Sequence, residues 1–497
     1  MTRQPHVYPA SIGVAALVLA LAAGLGLGGC AGARAGDAAQ AAPARLIGGA
    51  DAVRSLSFPP LRFQPPEPEL FQLSNGVTVV FLSDWSLPVV DVFVDFSGGY
   101  MYHGREDFGV ASSLLSLMRH GGTTSLEPDS LDAVLEYHAI GVSTYGNGSR
   151  MLMGVRGLRR HLDLAIQLWA DMLLRPRFDP AAMERWRVRE LDAVRNLSDF
   201  PGSLAVAKFN QILYDEHPTG WILEEADLAR ERLGRERLVA MHRQTVCPET
   251  AVVGAAGALT RQEARSVLEQ ALADWRPCGR LLELPPPPEV RARPAVYVIP
   301  KTLAQSTIVV GQPGGVLLED SPAYYASRIA NWVIGGSGVT SRLASRLRTE
   351  QGLAYTASSV WGVARDHERI FGAITHTRAD ATIDAARLIL STLSESVAEP
   401  PTSDEVELAR ESISNGFIFG VGSPAQIVAR QVSYMADDLP SDWMVRYLTG
   451  IGRVNQRQVA RVLRDKVRPD AFTVLIVGDT TAFDPRRLGP VTILPDR

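Results

Sequence analysis

The segment FQLSNGVTVVFLSDWSLPVVDVFVDFSGG, residues 71–99, decides the fold class of this chain. An Asn-Gly dipeptide at 75–76 separates two apolar runs, which predicts a tight hairpin between two strands. The run from Val89 to Phe96 carries an apolar residue at every second position, as a half-buried strand does. Residues 108–119 then place apolar side chains at helical spacing. Strands with short links, followed by helices, predict an α+β fold with antiparallel pairing.

The same order of elements recurs in the second half of the chain, after the Pro-rich linker LELPPPPEVRARP. The segment CPETAVVGAAGALT, which begins at Cys247, is similar to RPDAFTVLIVGDTT, which begins at Arg468. DFPGSLAVAKFNQILY and GSPAQIVARQVSYMA form a second similar pair. One tandem repeat of about 200 residues accounts for both pairs. We therefore expect two homologous domains, residues 69–280 and 296–490, each an antiparallel sheet flanked by helices, with a linker at 281–295.

Residues 1–30 have the pattern of a targeting segment rather than that of a folded domain. The stretch from Ala10 to Gly29 is apolar and rich in small residues, and its end resembles the lipobox of bacterial lipoproteins. This resemblance implies that Cys30 becomes the lipidated N-terminus, with a plain secretory signal or a transmembrane anchor as the alternatives. Residue 31 is Ala rather than Asp, which resembles the pattern of outer-membrane sorting. We expect a lipid-anchored periplasmic protein of the bacterial cell envelope, in the outer membrane, with the Ala- and Pro-rich residues 31–68 as its tether.

The composition and the cysteine count exclude two classes of protein. A formal net charge of −4 argues against nucleic acid as the main partner. Three cysteines are too few for a disulfide-rich scaffold. Cys247 precedes a strand predicted from Ala251, and a helix predicted at 261–275 returns antiparallel to that strand. We therefore expect Cys278 to lie near Cys247, and export permits a disulfide between them, with two free thiols as the alternative.

Two motifs of the chain resemble those of the M16 family of metallopeptidases, which includes insulin-degrading enzyme, pitrilysin and the mitochondrial processing peptidase. DFGVASSLLSLMRHGGTT, residues 107–124, lies where the family carries its zinc-binding helix. GGSGVTSRLASRLRTEQGLAYTASS, residues 335–359, closely resembles the family's second-domain motif. The opening segment resembles the family's first hairpin and strand. The resemblance covers about residues 69–490 and implies the fold of that family.

The zinc-binding residues of the family are replaced in this chain. Active members place two His and one Glu on one helix; the His pair binds zinc and the Glu acts as general base. The matching positions here are Ser112, Leu115 and Ser116. A leucine cannot deprotonate water, and serines do not replace imidazoles as zinc ligands. We therefore expect no metal cofactor in this chain.

The third zinc ligand of the family, a Glu, is also missing at its expected place. That place falls near Ala193, with Glu190 and Asp192 close by. His120 lies four residues beyond the degenerate motif and has no partner at metal-ligand spacing. An isolated His is more often a surface or core polar residue than a ligand.

The second-domain motif keeps a pair of residues that the family uses on its substrate. Arg348 and Tyr355 match, in identity and spacing, the Arg and Tyr that by resemblance bind the substrate backbone and the carbonyl oxygen under attack. Hydrogen-bond donors aimed at a developing oxyanion are a large electrostatic contribution to catalysis. The alternative is an Arg that favours a helix C-terminus and a Tyr packed on its own sheet.

The resemblance implies the non-zinc subunit of a bacterial heterodimeric M16 metallopeptidase. Such a chain is inactive alone and supplies Arg348 and Tyr355 to a zinc-bearing partner subunit that hydrolyses short or unfolded peptides. Zinc is then expected in the partner, and the peptide substrate and the membrane are the other expected partners. The alternatives are a non-catalytic scaffold and a peptide-binding envelope lipoprotein that captures without cutting.

Overall fold

The computed structural model describes residues 65–496. The expected signal segment, the lipidation position Cys30 and most of the expected tether at 31–68 lie outside the described residues. Within residues 65–496, no helix is long and apolar enough to cross a membrane.

The first half of the chain folds into one sheet with helices around it. Its strands are β1 (Glu69–Gln72), β2 (Thr78–Ser83), β3 (Val89–Ser97), β4 (Gly141–Gly146), β5 (Arg150–Leu158) and β6 (Ala251–Gly257). Its helices are α1 (Phe108–His120), α2 (Pro128–Tyr137), α3 (Leu162–Leu174), α4 (Pro180–Arg195), α5 (Pro201–Tyr214), α6 (Arg235–Thr245) and α7 (Arg261–Ala271). The strands lie in the order β1-β2-β6-β3-β5-β4.

The second half repeats this arrangement. Its strands are β7 (Val296–Pro300), β8 (Gln305–Pro313), β9 (Ala354–Val363), β10 (Glu368–Arg378), β11 (Thr473–Gly478) and β12 (Val491–Ile493). Its helices are α8 (Pro322–Asn331), α9 (Arg342–Ala344), α10 (Thr382–Ala398), α11 (Ser403–Phe417), α12 (Pro424–Ala436), α13 (Trp443–Arg453) and α14 (Gln456–Lys466). Two π-helical segments, Trp332–Gly336 and Ser345–Glu350, continue α8 and α9. The strand order is β12-β7-β11-β8-β10-β9. The α+β class and the tandem architecture are therefore confirmed.

Both sheets are mixed, although the sequence predicts antiparallel sheets. In the first half β6 lies between β2 and β3, parallel to β2 and antiparallel to β3. In the second half β11 lies between β7 and β8 in the same way. A strand inserted between two strands that run in opposite directions must be parallel to one of them. In both halves the inserted strand comes late in the chain, after a long helical stretch.

Each half contributes one helix to the sheet of the other half. Helix α5 packs on β8 and β11, where Phe209 joins Val309 and Leu475 in a buried cluster. Helix α12 packs on β2, β3 and β6, where Val428 and Val432 are buried against Phe93. These helices lie in the two similar segments at 199–214 and 422–436. The exchange joins the two halves through apolar contacts in addition to the linker.

A disulfide ties the start of the inter-half linker to the first half. Cys247 and Cys278 are bonded, with Cα atoms 5.4 Å apart, within the range that a bridge requires. The bridge spans 31 residues and encloses β6 and α7. Beside it, the indole nitrogen of Trp275 donates to the carbonyl oxygen of Val246 at 3.0 Å.

Replacing both cysteines by serine should lower the free energy of unfolding by about 2–4 kcal/mol, because the bridge restricts the unfolded chain. Urea unfolding of the mature chain, with and without a thiol reductant, measures this difference. The double serine variant is the control, since reductant should not change its midpoint. An equal midpoint for the wild-type chain in both conditions would show that the bridge does not contribute to stability.

Candidate functional site

Helix α1 presents the degenerate motif on one face, because residues four apart lie one turn above each other. The side chains of Ser112 and Ser116 are half-buried, and that of Leu115 is buried. Leu115 packs against the edge strand β4, where its Cδ2 atom lies 3.3 Å from the position that a Cβ atom on Gly146 would take. An apolar contact therefore occupies the position at which the family places its general base.

The acidic and imidazole groups near this helix do not complete a zinc site. Glu190 on α4 lies 3.6 Å from the Nε atom of Arg189. Burial raises the pKa of Glu190, whereas the guanidinium of Arg189 acts in the opposite direction. Asp192 and Ala193 are exposed. The donors available here are two hydroxyls and a half-buried carboxylate, with no imidazole. This donor set does not fit zinc.

His120 ends α1 and stands apart from the degenerate motif. Burial lowers the pKa of His120, and the nearby cations Arg119 and Arg189 lower it further. Elsewhere in residues 65–496, one group of three His, Cys, Asp or Glu side chains has metal-ligand spacing: Cys247, Glu249 and Cys278. Two of these three are the bonded cysteines, so the group does not offer free thiolates.

Arg348 and Tyr355 are brought together at the surface of the second half. Arg348 belongs to the π-helical segment Ser345–Glu350, and Tyr355 is the second residue of β9. Gly352 turns the chain between them with a φ of 60°, a left-handed conformation that favours glycine. The guanidinium carbon of Arg348 lies 4.6 Å from the centroid of the Tyr355 ring, a cation–π contact.

Both side chains of this pair are open to solvent. Arg348 is exposed, and 76% of Tyr355 is accessible. A tyrosine with this accessibility is not packed on its own sheet, as the alternative interpretation of Tyr355 requires. The guanidinium and the phenol are therefore hydrogen-bond donors presented at the surface.

The sequence does not predict the backbone that carries Tyr355. Ala354 pairs with Thr377 and Ala357 pairs with Thr375, so two residues of β9, Tyr355 and Thr356, face one residue of β10. This is a β-bulge, a device that redirects side chains near functional sites. The sequence spacing agrees with the bulge only once burial is known: the small residues Ala354 and Ala357 are three apart rather than two or four, and both are buried.

Comparison with known proteins agrees with this fold. A family model described as insulinase, peptidase family M16, matches residues 78–224, and one described as peptidase M16 inactive domain matches residues 232–413. An uncharacterized zinc protease of Rickettsia felis is 20% identical over 395 residues, which are 76% of this chain and 91% of that protein. A non-peptidase homolog of Helicobacter pylori is 24% identical over 283 residues, 56% of this chain and 64% of that protein.

Solved structures share the fold. A peptidase M16 inactive domain from Pseudomonas fluorescens has a TM-score of 0.75 at 21% identity and covers 84% of this chain and 98% of its own. A protease from Helicobacter pylori has a TM-score of 0.72 at 18% identity, with 84% and 100% covered. The two matching family models follow one another along the chain in the order of its two halves. This chain belongs to the M16 peptidase family.

Proposed function

We propose that this chain is the non-zinc subunit of a heterodimeric M16 peptidase. It supplies Arg348 and Tyr355 to a peptide held at the zinc site of a partner subunit. The observation that carries this proposal is the contrast between the two halves. The helix face at Ser112, Leu115 and Ser116 has no donor set for zinc, whereas the substrate-side pair is intact, exposed and in mutual contact.

The chemistry of the pair supports a role in hydrolysis. The Tyr355 hydroxyl and the Arg348 guanidinium both donate hydrogen bonds, and the guanidinium is also a cation. Attack on a peptide carbonyl places negative charge on its oxygen, and donors held there stabilise the transition state more than the ground state. The zinc chemistry belongs to the partner, and this chain contributes two donors held at a surface that faces substrate.

The cell envelope is the proposed place of this reaction. The lipobox-like end of residues 1–30 supports anchorage through Cys30, and the Ala- and Pro-rich tether supports a body held away from the membrane. The disulfide between Cys247 and Cys278 agrees with an oxidising compartment. Short or unfolded peptides of the periplasm are then the proposed substrates.

A non-catalytic scaffold or a peptide-binding lipoprotein is the second candidate. The match to a model described as an inactive domain and the similarity to a protein named a non-peptidase homolog favour it. The exposed pair argues for the first candidate, because a scaffold does not need an Arg and a Tyr presented to solvent at the family spacing.

Co-purification of the full-length chain from its native membrane tests the partnership. We expect a second M16 chain that carries His-x-x-Glu-His, with peptidase activity in the pair and none in either chain alone. A coding region for such a chain next to the gene for this one would agree with this. Recovery of this chain alone, without peptidase activity in the membrane fraction, would favour the scaffold.

The purified mature chain should contain no stoichiometric zinc and cleave no peptide by itself, because its motif helix offers neither an imidazole pair nor a general base. Metal analysis by mass spectrometry and a peptide assay measure both properties. In the assembled pair, Ser112→Ala and Ser116→Ala should leave turnover nearly unchanged. About one tightly held zinc per isolated chain would contradict this assignment.

A further inference from the structure

Two backbone carbonyl groups lie on either side of Tyr355 at the bulge between β9 and β10. These are the carbonyls of Leu353, just before the strand, and of Thr356, within the bulge. Each accepts a hydrogen bond from a threonine hydroxyl of β10. Thr377 donates to Leu353 and Thr375 donates to Thr356, both at 2.6 Å.

Both threonines are buried, and each is 1% accessible. A buried hydroxyl without a partner is costly, so each threonine favours the irregular backbone that brings a carbonyl group to it. The two carbonyl groups that accept these hydrogen bonds lie before and after Tyr355 in the chain. The ladder on the far side of the bulge is regular, with Ser358 opposite Ile374 and Ser359 opposite Ala373.

We propose that Thr375 and Thr377 are positioning residues for the Tyr355 phenol, through the bulge that they stabilise. This rests on the proposed function, because it assigns the two hydroxyls a role in the same site. In a regular strand, successive side chains point to opposite faces, so removal of the extra residue from the pairing would reverse the face of its neighbours. The bulge lets both Tyr355 and Thr356 remain exposed between the buried Ala354 and Ala357.

The contact between Arg348 and the Tyr355 ring depends on the same geometry. Arg348 is held by the π-helical segment before Gly352, whereas Tyr355 is held by the bulge after it. The guanidinium lies over the ring only while the start of β9 keeps its present register with β10. The two threonines therefore fix the distance between the two donors that the substrate would meet.

The test uses the reconstituted pair and the double variant Thr375→Val/Thr377→Val, which removes both hydroxyls at nearly constant shape. We expect kcat to fall about 10²-fold, with KM and assembly unchanged, since small misplacement of a catalytic group has effects of that size. Thr375→Ser/Thr377→Ser keeps the hydroxyls and should restore the rate. Hydrogen exchange of the backbone amides at 353–357 should accelerate in the valine variant alone.

The matched control is Thr473→Val. Thr473 is also a fully buried strand threonine that donates to a backbone carbonyl, that of Arg293, at 2.6 Å, but it lies in β11, which β8 and β10 separate from β9. This variant should turn over at close to the wild-type rate, which separates the loss of a buried hydroxyl from the loss of positioning.

The failures of the two proposals are distinguishable. A valine variant at the wild-type rate, beside a slow Tyr355→Phe, would overturn the positioning role and leave the proposed function standing. Tyr355→Phe and Arg348→Ala variants that both ran at the wild-type rate would overturn the catalytic function. Hydrogen exchange at 353–357 then decides the structural part, because unchanged exchange in the valine variant would show that the hydroxyls do not hold the bulge.

Discussion

Arg348→Ala and Tyr355→Phe, made separately in the assembled peptidase, should each lower kcat by about 10²–10³-fold. The reason is that both groups donate to an oxygen whose negative charge develops in the transition state. Tyr355→Phe removes only the hydroxyl, and the phenyl ring can keep its place beneath the guanidinium 4.6 Å away. The loss of contacts that strengthen in the transition state lowers kcat rather than raising KM.

Steady-state kinetics on a peptide substrate, with the partner subunit in saturating amount, measures both constants. Tyr137→Phe is the matched control for the hydroxyl, because Tyr137 is 85% accessible and lies at the end of α2, outside the second half. Arg461→Ala on α14 is the control for an exposed arginine. Both controls should keep wild-type turnover. If the Arg348 and Tyr355 variants matched them, the catalytic role would be lost and the scaffold would take its place.

Phe209→Ala should lower the free energy of unfolding by about 3–5 kcal/mol, the range for loss of a buried phenyl ring. Phe209 belongs to α5 of the first half but is 2% accessible against the sheet of the second half. Its ring packs over Gly311 of β8, where the lack of a side chain makes room for it. A Cβ atom on Gly311 would lie 3.0 Å from the ring. The substitution therefore leaves a cavity between the two halves.

Urea unfolding of the mature chain measures this loss, and Phe419→Ala is the matched control. Phe419 is 78% accessible, so its removal should change the stability by no more than about 0.5 kcal/mol. A Phe209→Ala chain as stable as the control would mean that the exchanged helix does not hold the halves together.

The local parts of the fold follow from the sequence. The Asn-Gly turn lies between β1 and β2, with Gly76 at a φ of 85°, and the alternating run forms β3 (Val89–Ser97). Turn chemistry and a period of two are properties of neighbouring residues, so the sequence carries them directly. The tandem repeat also appears as two six-stranded sheets that share the order of five strands, β2-β6-β3-β5-β4 and β7-β11-β8-β10-β9, and differ in the edge strand, β1 or β12.

The long-range parts of the fold do not follow from the sequence. The pairing of β6 with β2 and β3 joins strands that are more than 150 residues apart, and no turn links them, so the parallel pairing was missed. The sequence of an amphipathic helix shows which face is buried, but it does not show on which sheet that face packs. Phe93 illustrates this, since it breaks the alternation of β3 with an apolar residue on the polar face, and α12 of the other half covers it.

The candidate site divides in the same way. The loss of zinc donors could be read from three positions in one motif, and the Arg and Tyr from their spacing. Their mutual contact, their exposure and the bulge beneath Tyr355 needed the pairing of β9 with β10, which a single sequence does not contain.

The most direct measurement of the central claim is the turnover of the zinc-bearing partner as this chain is added to it. We expect a saturable rise in kcat at one chain per partner when the wild-type chain is added. The Arg348→Ala/Tyr355→Phe double variant should bind with the same stoichiometry but leave kcat close to that of the partner alone. A partner that reaches its full rate without this chain, or an equal rise with the double variant, would contradict the claim that this chain completes the catalytic site.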